Sequence, residues 1–209
     1  MIRPDGFGGA AFGDAGDGDA RRDEAARAAM SDALGISRDW AFVSQVHGSR
    51  AVEAATAGAL GEADAIYSAV VGLPMTVATA DCIPIVLEGP AVAAVIHAGW
   101  RGLDAGVIPQ ALGAIAAGGY DVERAAIGPA IGPCCYEVGP EVAERFRGFV
   151  GESAAGNTSV DLAAAAADQL GSIVRWTADA CTSCGDGFNS FRRDKTADRQ
   201  VAVAWLPRR

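Results

Sequence analysis

In the stretch AVAAVIHAGWRG, residues Ala91–Gly102, six apolar residues lead into His97 and then a glycine-flanked turn. A short apolar run that stops at a glycine predicts a buried β-strand, here ending at Gly99. His97 therefore lies at the end of a predicted strand, and it is one of only two histidines in the chain. A lone histidine at such a position more often satisfies a local hydrogen bond than performs chemistry, so its role depends on the residues that meet it.

Similar apolar runs predict five more strands, and stretches rich in helix-forming residues predict four helices between them. Proline has no N–H for a central ladder, so Pro84 is expected to break the second of these strands. The other predicted strands are WAFVSQVHG (40–48), MTVATADCIPIVLEG (75–89), RAAIGPAIGP (124–133), SIVRWTADACTSC (172–184) and RQVAVAWL (199–206). The predicted helices cover about 20–34, 103–119, a short segment from Pro140, and 159–172 with Asp161 near its N-cap.

The order of these elements predicts the fold class. Strands and helices are mixed without regular βαβ alternation, which favours an α+β fold or a layered α/β domain. Residues 1–20 are rich in glycine and aspartate and are predicted to form a loose N-terminal arm. Residues 21–209 contain no linker or repeat, so we expect a single catalytic domain there.

Composition excludes several classes of function. The net charge of −9 argues against binding of nucleic acid, which requires clustered lysine and arginine. No apolar run reaches the roughly 18 residues typical of a membrane span, and the N-terminus lacks the apolar region of a secretory signal. We therefore expect a cytoplasmic protein without membrane contact. Five cysteines in such a chain favour free thiols, a metal ligand or a nucleophile over a disulfide framework.

Three residues form a candidate metal site. His47, Cys82 and His97 each follow or end an apolar run near a glycine or proline. If these strands are neighbours in one sheet, their ends meet on one edge. Two imidazoles and one thiolate make a three-ligand zinc site with a fourth position open to water or substrate, which is the arrangement of catalytic zinc.

The same residues permit other interpretations. Cys82 could be a nucleophile with a histidine as its base, although a second histidine is not needed for that pair. Two histidines and a cysteine are also the ligand set of blue-copper sites, but Met75 is poorly placed as an axial ligand. A trinuclear copper cluster needs about eight histidines as such enzymes are generally built, so multicopper chemistry is disfavoured. Asp81 adjoins the cysteine and is either a proton shuttle or a strand-end cap.

Weaker signals accompany this site. Arg101 and Arg192 are candidate anion-binding residues, and Tyr136 is a candidate base-stacking residue, although each could equally be a surface or core residue. The spacing of Cys181 and Cys184 is that of half a zinc knuckle, but no second pair lies at a telling distance along the sequence. These two cysteines are interpreted as structural thiols, and the adjacent pair at 134 and 135 as packing residues.

Five motifs in sequence order carry a resemblance to a known family over roughly residues 40–205. The chain resembles the bacterial laccase-domain or polyphenol-oxidase-like proteins, regarded as purine nucleoside phosphorylases with adenosine deaminase activity. The resemblance implies a layered α/β/β/α sandwich with mixed sheets, related to toxin-type cysteine hydrolases, and one zinc ion held by His47, Cys82 and His97. The motifs are QVHG, TADCIPIVL, IHAGWRG, IGPAIGPCCYEV and CT…SFRRD.

The resemblance also implies substrates and leaves alternatives. The expected substrates are a purine nucleoside and phosphate, and no feature of the sequence predicts an oligomeric state. The alternatives are a copper-dependent phenol oxidase and a cysteine hydrolase acting on an amide or cell-wall precursor. Two departures from the family concern the substrate site: the N-terminal segment is shorter, and the usual T-G-R is replaced by Ala197-Asp198-Arg199.

Overall fold

The computed structural model describes residues 1–208, which form strands and helices in a layered arrangement. The strands are β1 (Ala10–Phe12), β2 (Ala41–Ser44), β3 (Ala51–Glu53), β4 (Gly58–Glu62), β5 (Ala65–Ser68), β6 (Met75–Thr79), β7 (Ile83–Glu88), β8 (Ala93–Ala98), β9 (Arg124–Ile127), β10 (Val150–Glu152), β11 (Thr158–Val160), β12 (Val174–Thr177) and β13 (Gln200–Ala204). The helices are α1 (Glu24–Leu34), α2 (Trp100–Asp104), α3 (Val107–Ala117), α4 (Pro140–Arg145), α5 (Leu162–Leu170) and α6 (Phe191–Asp194).

Two mixed sheets form the centre of the molecule. The first has five strands in the order β1-β13-β6-β2-β4, and the second has six strands in the order β12-β9-β7-β8-β5-β3. Strand β2 is parallel to both of its neighbours, whereas β7 is antiparallel to both β8 and β9. A small hairpin of β10 and β11 lies outside both sheets.

The apolar residues divide into three layers of core. Between the sheets, Met75 and Val77 of the first sheet pack with Val86 and Val95 of the second. The other face of the six-stranded sheet is covered by α2, α3 and α5, while the other face of the five-stranded sheet is covered by α1. Strands β6, β7 and β8 are therefore buried on both faces, which explains their nearly continuous apolar sequences. The resulting layers are α/β/β/α, so the predicted fold class is confirmed.

Residues 1–20 are not a loose arm in the structure. Ala10–Phe12 is a fully buried edge strand that pairs with β13, and Ile2 pairs in turn with Phe12. The glycine- and aspartate-rich composition misled the prediction because the apolar segment between those residues is only three residues long. Asp14 and Asp17, which indicated disorder, cap the turn that follows β1.

The segment 75–89 also differs from the prediction. It is not one strand interrupted by Pro84: β6 lies in the five-stranded sheet and β7 in the six-stranded sheet, and the chain crosses between them at residues 80–82. Pro84 is part of β7. The pairing of β7 with β9 begins only at the next residue, Ile85. The missing N–H therefore falls at the end of that ladder, where it disturbs few hydrogen bonds.

The helix predictions hold with smaller changes. Helix α1 begins after Asp23, whose carboxylate accepts hydrogen bonds from the backbone of residues 25 and 26, and it ends at Gly35 in a left-handed conformation. Asp161 caps α5 as predicted. The predicted helix at 103–119 is instead two helices, α2 and α3, because Gly106 adopts a left-handed conformation between them. Among residues 1–208, no helix combines the length and hydropathy needed to cross a bilayer.

Candidate metal centre

His47, Cys82 and His97 meet at one end of the sandwich. One ligand atom from each side chain lies within 4.8 Å of the others. His47 follows β2 of the five-stranded sheet, Cys82 lies in the crossing between the sheets, and His97 belongs to β8 of the six-stranded sheet. The prediction that these residues lie close together is correct, but its reason was not: they come from two sheets rather than from neighbouring strands of one.

The separations suit a tetrahedral ion. Cys82 Sγ lies 3.9 Å from His47 Nε2, and the two imidazole rings are 4.7 Å apart and nearly perpendicular. Metal–ligand bonds of about 2.0–2.3 Å place tetrahedral ligand atoms about 3.3–3.8 Å apart, so only small side-chain adjustments bring all three onto one ion. Three protein ligands leave one position of such an ion open.

Asp64 contacts two of the three candidate ligands, although no pattern in the sequence indicated it. Its carboxylate is fully buried and lies 2.7 Å from His97 Nδ1. It also accepts backbone hydrogen bonds from His47 at 3.0 Å and from Gly48 at 2.7 Å. A carboxylate that only accepts fixes the proton on Nδ1 of His97, which directs the other ring nitrogen toward the site. Asp64 thus orients both histidines at once.

The backbone around the ligands is unusual at three points. His47 and Asp81 adopt positive φ angles of 60° and 89°, which few residues other than glycine adopt. Gly99, directly after β8, lies so close to the site that a Cβ there would be 3.1 Å from both Cys82 Sγ and His47 Cδ2. The positive φ angles of His47 and Asp81 store local strain, which is common at functional sites, whereas Gly99 contributes the space that a larger residue would fill.

The electrostatics of the three side chains favour a thiolate. Burial opposes ionisation of Cys82, but hydrogen bonds from the two histidines lower its pKa to about 6. Burial likewise opposes a charge on His97, yet hydrogen bonds to Asp64 and Cys82 raise its pKa to about 9. Thiolate is the form of cysteine that binds a metal or acts as a nucleophile, so the site is prepared for either use.

A cavity of about 630 Å³ opens onto these ligands. Its walls include three arginines, Arg21, Arg22 and Arg199, and two phenylalanines, Phe42 and Phe191. Arg21 is held by Asp19 and by Gln45, whose side-chain amide also bonds to the backbone of β6. The cavity therefore combines positive charge with aromatic surface beside the metal ligands. Arg21 and Arg22 belong to the N-terminal region in which no site residue was predicted.

The three predicted substrate-binding residues lie elsewhere around the site. Tyr136 and Arg192 pack together, with the guanidinium 5.2 Å from the ring centre, and Arg101 packs over Trp100 at 4.4 Å. None of the three is among the residues that line the cavity. Burial and the nearby Cys82 thiolate raise the pKa of Tyr136 to about 12, an effect that Arg192 and Arg101 oppose. They therefore flank the metal ligands without lining this cavity.

Asp81 connects the centre to a neighbouring loop. One carboxylate oxygen accepts a hydrogen bond from the Thr182 hydroxyl at 2.7 Å, and the other accepts one from the backbone N–H of Arg192 at 2.6 Å. One oxygen thus contacts the loop after β12, and the other contacts the start of α6. A role as proton shuttle stays a prediction, whereas the hydrogen bonds directly support a positioning role.

Comparisons with known proteins identify the family and support the fold. Residues 6–207 match the family model described as "Multi-copper polyphenol oxidoreductase laccase". A Streptomyces coelicolor protein named purine nucleoside phosphorylase is 37% identical over 214 residues, covering 96% of this chain and 87% of the relative. A Deinococcus radiodurans protein of that name is 37% identical over 196 residues, covering 88% and 77%. The crystal structure of YlmD from Geobacillus stearothermophilus superposes with a TM-score of 0.81 at 27% identity, covering 91% of this chain and 82% of that one.

Proposed function

The chain belongs to the family described as multi-copper polyphenol oxidoreductase laccase, and from this membership we propose that it is a zinc-dependent purine nucleoside phosphorylase. The convergence of His47, Cys82 and His97 beside an arginine-lined cavity is the observation that carries the proposal. The names of its relatives supply the substrate class, because several of them are called purine nucleoside phosphorylases.

Zinc is the metal that this donor set favours. Two imidazoles and one thiolate with an open fourth position are typical of catalytic zinc. A blue-copper site has the same three donors but adds a weak axial ligand such as methionine, and Met75 is fully buried in the core between the sheets. The chain has two histidines, far fewer than multicopper chemistry requires. The family description therefore does not decide the metal.

The reaction sets the tasks of the protein residues. A phosphate oxygen bonds to the anomeric carbon of the ribose, the bond from that carbon to the purine nitrogen breaks, and the purine leaves with the electron pair and takes up a proton. Bound zinc supplies a Lewis acid that stabilises developing negative charge. Arg199 and Arg22 reach the cavity and offer guanidinium groups to phosphate, for which their planar geometry is suited. Phe42 and Phe191 offer apolar surface to the base.

Deamination of adenosine belongs to the same proposal. The resemblance that predicts phosphorolysis also predicts this activity. In it a water oxygen bonds to the purine carbon that carries the amino group, the bond from that carbon to the amino nitrogen breaks, and the nitrogen leaves as ammonia with a proton from the water while inosine forms. A zinc ion held by His47, Cys82 and His97 would supply Lewis acidity for this reaction as well, and the adjoining cavity would hold the nucleoside beside it.

Product analysis tests the proposal. Zinc-loaded protein is incubated with adenosine or inosine, with and without phosphate, and the products are separated by chromatography. We expect adenine or hypoxanthine only when phosphate is present, and inosine from adenosine in either condition. Cys82→Ala should lose both reactions together with its metal at this site. Turnover by a metal-free Cys82→Ala protein would overturn the mechanism.

Two arginine substitutions test phosphate binding, one in the cavity and one outside it as the control. Arg199→Ala removes a cation from the cavity and should raise the KM for phosphate about tenfold or more, since charge-assisted hydrogen bonds contribute about 1.5–3 kcal/mol. Arg175→Ala removes the same charge from an exposed position of β12 and should leave the kinetics unchanged. Equal effects in both variants would argue against a phosphate site in this cavity.

The alternatives predict different results in the same preparation. A phenol oxidase requires stoichiometric copper and oxidises phenols, whereas a cysteine hydrolase requires a free Cys82 that is alkylated despite bound metal. If zinc remains bound and neither nucleoside reacts, the site is correctly identified but its substrate is wrong. The hydrolase interpretation would then become the leading one.

A further inference from the structure

The four remaining cysteines form a second cluster away from the first. Cys134 and Cys135 lie in the loop after β9, and Cys181 and Cys184 lie in the loop after β12. Their sulfur atoms all lie within 4.8 Å of one another. In the sequence the two pairs are interpreted as separate packing and structural thiols, because 45 residues lie between them and their proximity is not visible. The parallel pairing of β9 with β12 brings both loops to one edge of the sheet.

The arrangement matches a tetrahedral tetrathiolate. Cys134 Sγ and Cys184 Sγ are 3.6 Å apart. Zinc–sulfur bonds of about 2.3 Å give sulfur–sulfur separations of about 3.8 Å in a regular tetrahedron. Three of the four cysteines are partly buried and one is exposed, as expected for a site near the surface that closes around an ion. The spacing of Cys181 and Cys184 is the C-x-x-C spacing common in structural zinc sites.

Backbone donors surround one of the sulfurs. Gly132 donates its N–H to Cys181 Sγ at 3.2 Å. Although burial acts in the opposite direction, this bond and those from the backbone of Cys184 and Ser183 lower the pKa of Cys181 to about 7. Burial and the thiols of Cys184 and Cys181 raise the pKa of Cys135, an effect that Cys134 opposes. The N–H of Gly132 is thus positioned to donate to a sulfur that also binds a cation.

We propose that Cys134, Cys135, Cys181 and Cys184 hold a structural zinc ion, separate from the centre formed by His47, Cys82 and His97. All four ligand positions of this ion are filled by protein, so it has no open position for substrate. Its function is to join two loops that no other covalent link connects within residues 1–208.

The joined loops carry residues that flank the first centre. Tyr136 directly follows the ligand pair at 134 and 135, and Thr182, between the other two ligands, donates its hydroxyl to Asp81. Arg192 further connects the loops by donating from its guanidinium to the carbonyl of Glu137 at 2.9 Å. The structural ion therefore holds the wall of the first centre that is formed by Tyr136 and Arg192.

Metal counting on the purified chain tests the second site without reference to activity. Zinc per chain is measured by elemental analysis in the unmodified protein, in Cys82→Ala and in the double variant Cys181→Ser/Cys184→Ser. We expect about two ions in the first and about one in each of the others. If the double variant fails to fold, the Cys82→Ala protein still decides the question. Within residues 1–208 the four-cysteine cluster is then the one remaining group of three or more His, Cys, Asp or Glu side chains whose ligand atoms meet.

Cobalt identifies the ligands of that remaining ion. Co²⁺ loaded into the Cys82→Ala protein should give the intense thiolate-to-cobalt charge-transfer absorption bands of a tetrathiolate site. Adding Cys134→Ser to that protein should weaken these bands. A count near one in the unmodified protein and near zero in Cys82→Ala would overturn the proposal. A disulfide between Cys134 and Cys184, detected as the mass loss of two hydrogens in freshly purified protein, would also overturn it. Failure of nucleoside turnover alone would bear on the first centre and leave these counts unchanged.

Discussion

One buried carboxylate, that of Asp64, holds two candidate metal ligands. It contacts the side chain of His97 and the backbone of His47, and it accepts a further bond from Gly48. Burial opposes its charge, yet these hydrogen bonds keep the pKa of Asp64 below its ordinary value. A residue that stays ionised in the interior strengthens the imidazole as a ligand and holds the positive-φ turn at His47.

We therefore expect Asp64→Asn to weaken metal binding by about 10- to 100-fold. The amide keeps the size of the side chain but replaces one accepting oxygen by a donor that faces backbone N–H groups. Zinc affinity is measured by competition with a chromogenic chelator. Asp39→Asn, an equal change of charge at an exposed position, is the control and should bind zinc normally. Unchanged zinc affinity in Asp64→Asn would show that the Asp64 carboxylate is not needed to position the two histidines.

The pKa of Cys82 gives a pH dependence in the metal-stripped protein. Because its pKa is lowered to about 6, the reactive thiolate predominates above that pH and is lost as the pH falls below it. Alkylation by iodoacetamide should therefore reach a plateau near neutral pH, whereas an ordinary cysteine continues to gain reactivity up to about pH 8.5. Peptide mapping follows Cys82 separately from the other cysteines. Zinc added before alkylation should protect it, and a continued rise of its rate through pH 8 would show that the pKa of Cys82 is not lowered.

At the scale of elements, the sequence predicts the candidate ligands better than the residues and strands that position them. His47, Cys82 and His97 stand out because histidine is rare in the chain and each follows an apolar run. Asp64 does not, since it is one of 26 acidic residues and no spacing connects it to a ligand. The assignment of β6 and β7 to different sheets is also hidden, because strands buried on both faces lack the alternation that would show which face packs where.

Helix α6 depends on a contact that the sequence could not predict. Both carboxylate oxygens of Asp81 are used to hold its start and the adjacent Thr182. Asp81→Asn replaces one acceptor by a donor facing the N–H of Arg192, so we expect about 1–3 kcal/mol of destabilisation. Amide hydrogen exchange should increase selectively in residues 191–194, and zinc binding by the first centre should persist. Asp179→Asn, an exposed position with the same change of charge, should exchange normally. Loss of activity without faster exchange would instead favour a proton-transfer role for Asp81.

At the scale of the whole molecule, the site depends on the joining of the two sheets. Its ligands come from both sheets and from the crossing between them, so their spacing is fixed only when the sheets pack correctly. The N-terminal segment takes part in that packing through Phe12 of β1, which stacks on Trp176 of β12 in the opposite sheet at 5.6 Å. The layered class could be predicted from the mixed order of elements, but such contacts between distant segments could not.

Phe12→Ala tests whether the N-terminal segment is an integral part of the fold. Phe12 is 1% exposed, and its ring packs so closely on Gly128 that a Cβ there would lie 2.3 Å away. Removing the ring should cost about 3–5 kcal/mol, as for other fully buried phenylalanines. Val71→Ala, at a side chain that is 53% exposed, should change stability by less than about 0.5 kcal/mol. Urea unfolding of the zinc-loaded proteins measures both, with the metal concentration held constant because bound ions add stability by mass action. If both variants unfold at the same urea concentration, residues 1–20 behave as the loose arm that their composition predicts, and the sheets are held together without them.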